Sequence, residues 1–130
     1  MLSIRQAQAT DFTRILDINA TEEEKTSRID LARIAQLHRW ADYHRVAVVD
    51  DEIIGFLLVM GEASDYDGDN FRWFVERYDR FLYVDRIVID QAYAGRGVGS
   101  ALYGDLIEFA ATQGCPALCC EINVLPPNPA

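Results

Sequence analysis

The residues whose types and spacing most plainly suggest chemistry are Gly95, Arg96, Gly97, Val98 and Gly99, which follow an apolar run and open a helical pattern. The first amides of a helix have no intrahelical acceptor, the helix dipole adds partial positive charge there, and glycines let the main chain approach an anion closely. Such a turn can hold a phosphate. Each charge-assisted amide bond contributes about 1.5 to 3 kcal/mol, so three or four can anchor a pyrophosphate, and Arg96 adds a cation. The plainer reading is a glycine turn that only lets a helix pack closely on a strand. Two familiar nucleotide signatures do not fit. A Walker loop needs Gly-Lys-Ser/Thr, and no Lys follows these glycines. A dinucleotide fingerprint needs G-x-G-x-x-G, and counted from Gly97 its third glycine is Leu102.

The elements around that turn follow from composition and periodicity. The chain has 130 residues, half of them hydrophobic and 25% charged, which suits a single globular domain over 1–130. Twelve basic against 21 acidic residues give a net charge of −9, which argues against nucleic acid as a partner. No uncharged apolar run approaches the roughly 20 residues of a membrane span, and Arg5 interrupts any signal-like start. A cytoplasmic location without membrane contact is expected. The three cysteines, Cys115, Cys119 and Cys120, are an odd, crowded set with neither redox-pair nor zinc spacing, and reduced thiols packed in a strand are expected.

Along the chain, residues 3–8 alternate weakly as a short edge strand. Thr10 and Asp11 offer acceptors at the start of a helix that carries Phe12, Ile15, Leu16 and Ile18 or Asn19 to about Ala20. Ser27 with Asp30 resembles a capping box for a second helix, whose face is read as Ile29, Ala32, Ala35 or Gln36, and Trp40. Two Val- and Ile-rich strands flank Asp50 and Asp51 as a hairpin. Residues 61–70 form a loop, and Asn70 caps a short aromatic helix. The run 81–90 has strand composition but carries Asp85 and Arg86 in its middle. Residues 97–113 form the clearest helix, with Val98, Leu102, Leu106 and Phe109 or Ala110 on one face and Gly114 at its end. A last strand, ALCCEINV, precedes LPPNPA.

At the glycine turn the sequence resembles the GNAT superfamily of N-acetyltransferases, whose central motif is Gln or Arg, two residues, Gly, one residue, then Gly or Ala, between a strand and a helix. Ala94, Gly95, Arg96, Gly97, Val98 and Gly99 fill that register, with Ala94 where Gln or Arg is usual. The order of elements is also similar, so the resemblance implies an α/β domain with a mixed, mainly antiparallel sheet flanked by helices. It implies acetyl-CoA as the acyl donor, its pyrophosphate on the amides from Ala94 to Ser100 and its pantetheine arm along Ile87, Val88 and Ile89. Asn128 matches an Asn that opens the family's next helix, and is taken as a cofactor contact. The Tyr that protonates the departing thiolate in the family would lie beyond Ala130, so the C-terminal part of the fold is expected to be missing here.

Acetyl transfer needs a neutral amine, and an alkylamine of pKa about 10.4 falls short of that by roughly 4 kcal/mol near neutrality. Asp85 is the candidate base, at a place where related transferases often carry an acid. Strand parity puts Tyr83, Asp85, Ile87 and Ile89 on one face and Arg86 on the other. An apolar setting would push the Asp85 carboxyl up towards a value useful for proton transfer. The competing reading of Asp85 is a structural ion pair with Arg86 or another Arg. Tyr83 is held as a second catalytic candidate, orienting substrate or water. The segment 61–80 combines Glu62, Asp65, Asp67, Asp69, Glu76 and Asp79 with Tyr66, Phe71, Trp73, Phe74 and Tyr78, which suits a cationic amine acceptor or else a solvated acidic loop.

Asp65, Asp67, Asp69 and Glu76 mimic EF-hand spacing, but Asn70 and Arg72 break that pattern and no metal is expected. His38 and His44 stand apart from any Ser or Cys arrangement. The leading expectation is an acetyl-CoA-dependent N-acetyltransferase in which a bound amine attacks the thioester directly. The rivals are a non-catalytic acyl-CoA-binding module and a nucleotide-binding domain. An unfinished sheet leaves room for a homodimer.

Overall fold

Among the described residues five strands, β1 (Leu2–Gln6), β2 (Tyr43–Val49), β3 (Glu52–Gly61), β4 (Leu82–Ile89) and β5 (Leu118–Cys120), hydrogen-bond side by side in that order. The computed structural model describes residues 1–21, 29–115 and 118–120. The first three junctions are antiparallel and the last is parallel, giving the mixed, mainly antiparallel sheet expected from the sequence. Asp50 and Asp51, with φ of 52° and 66°, make the two-residue turn that closes the β2–β3 hairpin.

Among the described residues four α-helices, α1 (Phe12–Ala20), α2 (Leu31–Trp40), α3 (Asp69–Val75) and α4 (Val98–Thr112), cover the sheet. On one face Val98, Leu102, Leu106 and Ala110 of α4, at i and i+4 spacing, pack on Tyr43, Ala47, Leu57, Val59, Leu82 and Val84. On the other, Phe12, Ile15 and Ile18 of α1 and Ile34 of α2 meet Val46, Phe56 and Val88, while Leu37 joins Leu58, Met60, Phe71, Phe81 and Tyr83. The buried face of α2 is Ile34 and Leu37, rotated from the expected line through Ala32, which is exposed. Small residues at positions 32 and 35 fit either side of that helix, so its periodicity is ambiguous.

Helix starts also differ from expectation. The Asp11 side chain turns back to accept the Gln8 amide (2.8 Å) and the Arg5 guanidinium (2.8 and 3.0 Å), rather than capping α1. Arg5 beside it holds the Asp11 carboxyl below its ordinary range. Asp30 caps α2 by accepting the Arg33 amide at 2.8 Å, whereas Ser27 lies outside the described residues. Gly68, not Asn70, stands at the N-cap of α3.

One buried contact ties α2 to the sheet: the Nδ1 atoms of His38 and His44 lie 2.8 Å apart, with Phe12 stacked on His44. His44 is 4% exposed and its Nε2 has no hydrogen-bond partner among the described residues. Burial, and then the neighbouring His38, push the His44 imidazole down to about 3 despite the opposing Asp11 carboxylate. A histidine that stays neutral in the fold but takes a proton at about 6.5 once unfolded gives full stability above that pH and loses it below. Stability should therefore fall by about 1.4 kcal/mol per pH unit from pH 6.5 downward. Urea unfolding at pH 7.5, 6 and 5 checks this, with His44→Gln showing a flatter dependence than the wild-type chain.

Candidate active site

The site is built on β4 and the turn that follows it. β4 pairs with β3 in a register that matches Arg86 to Leu58 and then Val84 to Val59, so Asp85 is an extra residue opposite that step. This bulge reverses the alternation within the strand. Leu82, Val84, Ile87 and Ile89 face α4, whereas Phe81, Tyr83 and Val88 face the other helices. Tyr83 therefore does not share a face with Ile87 and Ile89, which corrects the strict parity assumed from sequence. The bulge also lets two sequence neighbours meet: Arg86 Nε donates to Asp85 Oδ2 at 2.7 Å, both side chains being buried.

The surroundings of Asp85 are polar rather than apolar. Tyr66, from the loop between β3 and α3, donates its hydroxyl to Asp85 Oδ1. Burial, followed by the Asp85 charge, raises the Tyr66 phenol above its ordinary pKa, so it remains a donor at neutral pH. Arg86 also donates to Asn19 Oδ1 of α1 at 3.3 Å, and Asn19 is buried. Tyr83 is 1% exposed and its ring lies 6.1 Å from that of Tyr66, among Phe71 and Phe74. Sequence reading placed Tyr66 in the acidic, aromatic loop but did not link it to Asp85, because the contact spans 19 residues and no local pattern encodes it. Asn19 carried no signal beyond its place on the inner face of a helix.

Beyond Ile89 the chain is fixed by Asp90, whose carboxylate accepts the Ala92 amide (2.9 Å) and the Arg14 guanidinium (2.7 Å). The Ala92 amide and Arg14 together hold that carboxyl below its ordinary range. After the Ala94 amide bonds the Gln91 carbonyl, the amides from Gly95 to Ser100 find no acceptor among the described residues, and the Ala101 amide closes the first helical bond to Gly97. Gly95 and Gly97 take φ of 78° and 81°, and a Cβ at Gly95, Gly97 or Gly99 would meet nothing within 4 Å. Arg96 is exposed, lies 5.4 Å over the Tyr93 ring and makes no ion pair among the described residues. Six consecutive amides without an acceptor among the described residues thus lead into a 15-residue helix, with room beside three of their glycines.

Among the described residues β5 pairs with β4 at Leu82, Tyr83 and Val84. The bulge at Asp85 and the glycine turn mark the two ends of the β4 segment from Asp85 to Ile89. Asn128 lies outside the described residues. The EF-hand spacing assembles no cage: Asp67 is engaged by Arg33, and no group of three or more His, Cys, Asp or Glu converges for a metal among the described residues. No described helix is long and apolar enough to cross a membrane.

Solved structures place this fold. It superposes on ribosomal-protein-alanine N-acetyltransferase from Brucella melitensis biovar Abortus 2308 with a TM-score of 0.69 and 21% identity, over 99% of this chain and 83% of that one. It superposes equally, at 17% identity, on the aminoglycoside N-acetyltransferase AAC(6')-Iy in complex with CoA, over 95% of this chain and 80% of that one. Glucosamine 6-phosphate N-acetyltransferase 1 of Oryza sativa subsp. japonica is 28% identical over 116 residues, 86% of this chain and 67% of that protein. Residues 2–130 match the acetyltransferase (GNAT) family, and the chain belongs to it. It is accordingly an acetyl-CoA-dependent N-acyltransferase.

The glycines give a test that is independent of ligand. Gly97→Ala should cost about 1 to 2 kcal/mol, because alanine resists the left-handed conformation even where space is open. Gly99→Ala, inside α4 and unobstructed, should be neutral or stabilising by up to about 1 kcal/mol. Denaturant melts of the two variants check the contrast.

Proposed function

We propose that the pyrophosphate of acetyl-CoA sits on the amides from Gly95 to Ser100, with Arg96 beside it and the pantetheine arm along β4 at Ile87, Val88 and Ile89. The observation that carries this reading is the run of amides from Gly95 to Ser100 without an acceptor among the described residues, with open space where a Cβ at Gly95, Gly97 or Gly99 would lie. The thioester then lies towards the bulge, where Asp85 and Tyr66 meet. Asp85 is the proton acceptor, and Tyr66 is its outlet towards the acceptor amine. The ammonium gives a proton to the Tyr66 oxygen as the phenol passes its own to Asp85 Oδ1, leaving a neutral amine and a carboxylic acid. The amine nitrogen attacks the thioester carbonyl, the C–S bond breaks, and the thiolate leaves with the proton shed by the new amide nitrogen. Arg86 compensates the buried carboxylate, and Tyr83 packs behind the Tyr66 ring.

The acceptor is a cationic amine. The chain carries a charge of −9, and Asp65 and Asp67 are exposed on the loop that presents Tyr66. This field concentrates ammonium groups and opposes phosphorylated amines. A panel containing an aminoglycoside, a peptide with N-terminal alanine, a diamine and glucosamine 6-phosphate, assayed by release of free CoA thiol, tests the choice. Higher kcat/KM on the cationic amines, falling with salt, is expected; glucosamine 6-phosphate as the best acceptor contradicts it.

Two variants separate cofactor binding from chemistry. Ser100→Asp puts a carboxylate in the first turn of α4, which favours the helix by about 0.3 to 1 kcal/mol. The same charge opposes an anion on those amides, so thermal stability should hold while acetyl-CoA affinity, read by calorimetry, falls at least about tenfold. Tyr66→Phe keeps the ring and removes the proton outlet, and should lower kcat by about 10- to 100-fold with little change in the KM for acetyl-CoA. Asp85→Asn should lose more, but it also leaves Arg86 buried without its partner, so its unfolding must be measured beside its rate.

A further inference from the structure

Tyr66 lies on a loop, yet its hydroxyl must reach one carboxylate oxygen, and α2 supplies the fixings. Two residues before it, Ser64 Oγ accepts the Tyr66 amide at 3.1 Å and donates to the Trp40 carbonyl at the end of α2 at 2.9 Å. One residue after it, Asp67 receives a forked pair from the Arg33 guanidinium at 2.7 and 3.3 Å. Arg33 is itself held by Gln36 Oε1 at 2.7 Å and lies 5.4 Å over the Trp40 ring, whose edge meets the Tyr66 ring. Fork geometry restrains direction as well as distance, which a single-point cation does not. Gly68 completes the fit: a Cβ there would lie 2.6 Å from Tyr66 Cε2 and 3.0 Å from its hydroxyl oxygen. The φ of Gly68 is −72°, so the glycine is required by the space the ring occupies and not by the backbone.

We infer that Arg33 is a positioning residue for acyl transfer: through Asp67 it holds the loop 64–68 so that the Tyr66 hydroxyl stays on Asp85. This rests on the reading of Asp85 and Tyr66 given above. The pair is partly solvent-exposed, at 33% and 54% of the two side chains, so its worth lies in orientation and not in global stability. Gly68→Ala reaches the same outcome by another route, pushing the ring from its place while leaving Arg33 and Asp67 intact.

The test uses the full chain and the fastest acceptor of the amine panel. Arg33→Met and Gly68→Ala should each lower kcat about five- to twentyfold, with the KM for acetyl-CoA and the thermal midpoint nearly unchanged. Neither should slow the enzyme further when added to Tyr66→Phe. The charge-exchanged double variant Arg33→Asp with Asp67→Arg should recover part of the rate lost by each single change. Independently of turnover, hydrogen exchange at the Tyr66 amide should quicken about tenfold in Arg33→Met. An Arg33→Met enzyme at the wild-type rate while Tyr66→Phe is slow overturns this inference alone, as does an equal loss in the Tyr66→Phe background or an unchanged exchange rate. A Tyr66→Phe enzyme at the wild-type rate overturns the proton-transfer reading and this inference with it.

Discussion

A carboxylate and a guanidinium buried side by side in an apolar strand set the terms for the rest of this site. Neighbours in a regular strand point to opposite faces, so Asp85 and Arg86 can pair only because the β3–β4 register slips by one residue between them. Without that pairing, either charge alone would carry a desolvation cost of several kcal/mol. The same slip turns Tyr83 away from Ile87 and Ile89 and leaves Asp85 reachable by a phenol from the loop beyond β3. One local irregularity therefore fixes the charge pair, the face that side chains of β4 present, and the point where Tyr66 meets Asp85.

The far end of β4 solves a different problem with different means. The chain is acidic and the cofactor is an anion, so the net charge offers the cofactor no long-range attraction, and what repulsion there is fades beyond a Debye length, about 8 Å in physiological salt. Attraction has to come from short-range, directional groups. In the proposed reading the amides from Gly95 to Ser100, which have no acceptor among the described residues, and Arg96, which has no ion pair among them, supply them, and the glycines keep side chains out of the way. Asp90 and Arg14 brace the turn against α1 and β3, so the donors are oriented before anything binds. On the proposed reading, an acidic surface draws in a cationic amine while a small, neutral-backboned patch holds the anionic donor, with β4 between them.

The glycine turn was legible in the sequence because its cause is local: Gly95 and Gly97 occupy positions where φ is positive, and the helix they precede buries Val98, Leu102, Leu106 and Ala110 at regular spacing. The hairpin at Asp50 and Asp51 was legible for the same reason. The bulge was not, since register belongs to a pair of strands and neither Asp85 nor Arg86 announces which residue will go unpaired. Parity counted along one strand consequently put Tyr83 on the wrong face. Asp85 itself stood out as a charge in an apolar run, but its partners Tyr66 and Asn19 arrive from elements far away in sequence. The burial of Ile34 and Leu37 on α2 was obscured by alanines that tolerate either side, so the fixing of the Tyr66 loop by Arg33 emerges only from tertiary structure.

The central claim is that one anionic cofactor is gripped by consecutive main-chain amides at the head of α4. Titrating coenzyme A into isotopically labelled protein and following backbone amide resonances tests it directly. The account requires the amides from Gly95 to Ser100 to move furthest and together, with smaller changes along Ile87 to Ile89. Saturable binding that leaves those resonances in place while others shift, or no binding at millimolar coenzyme A, would contradict it.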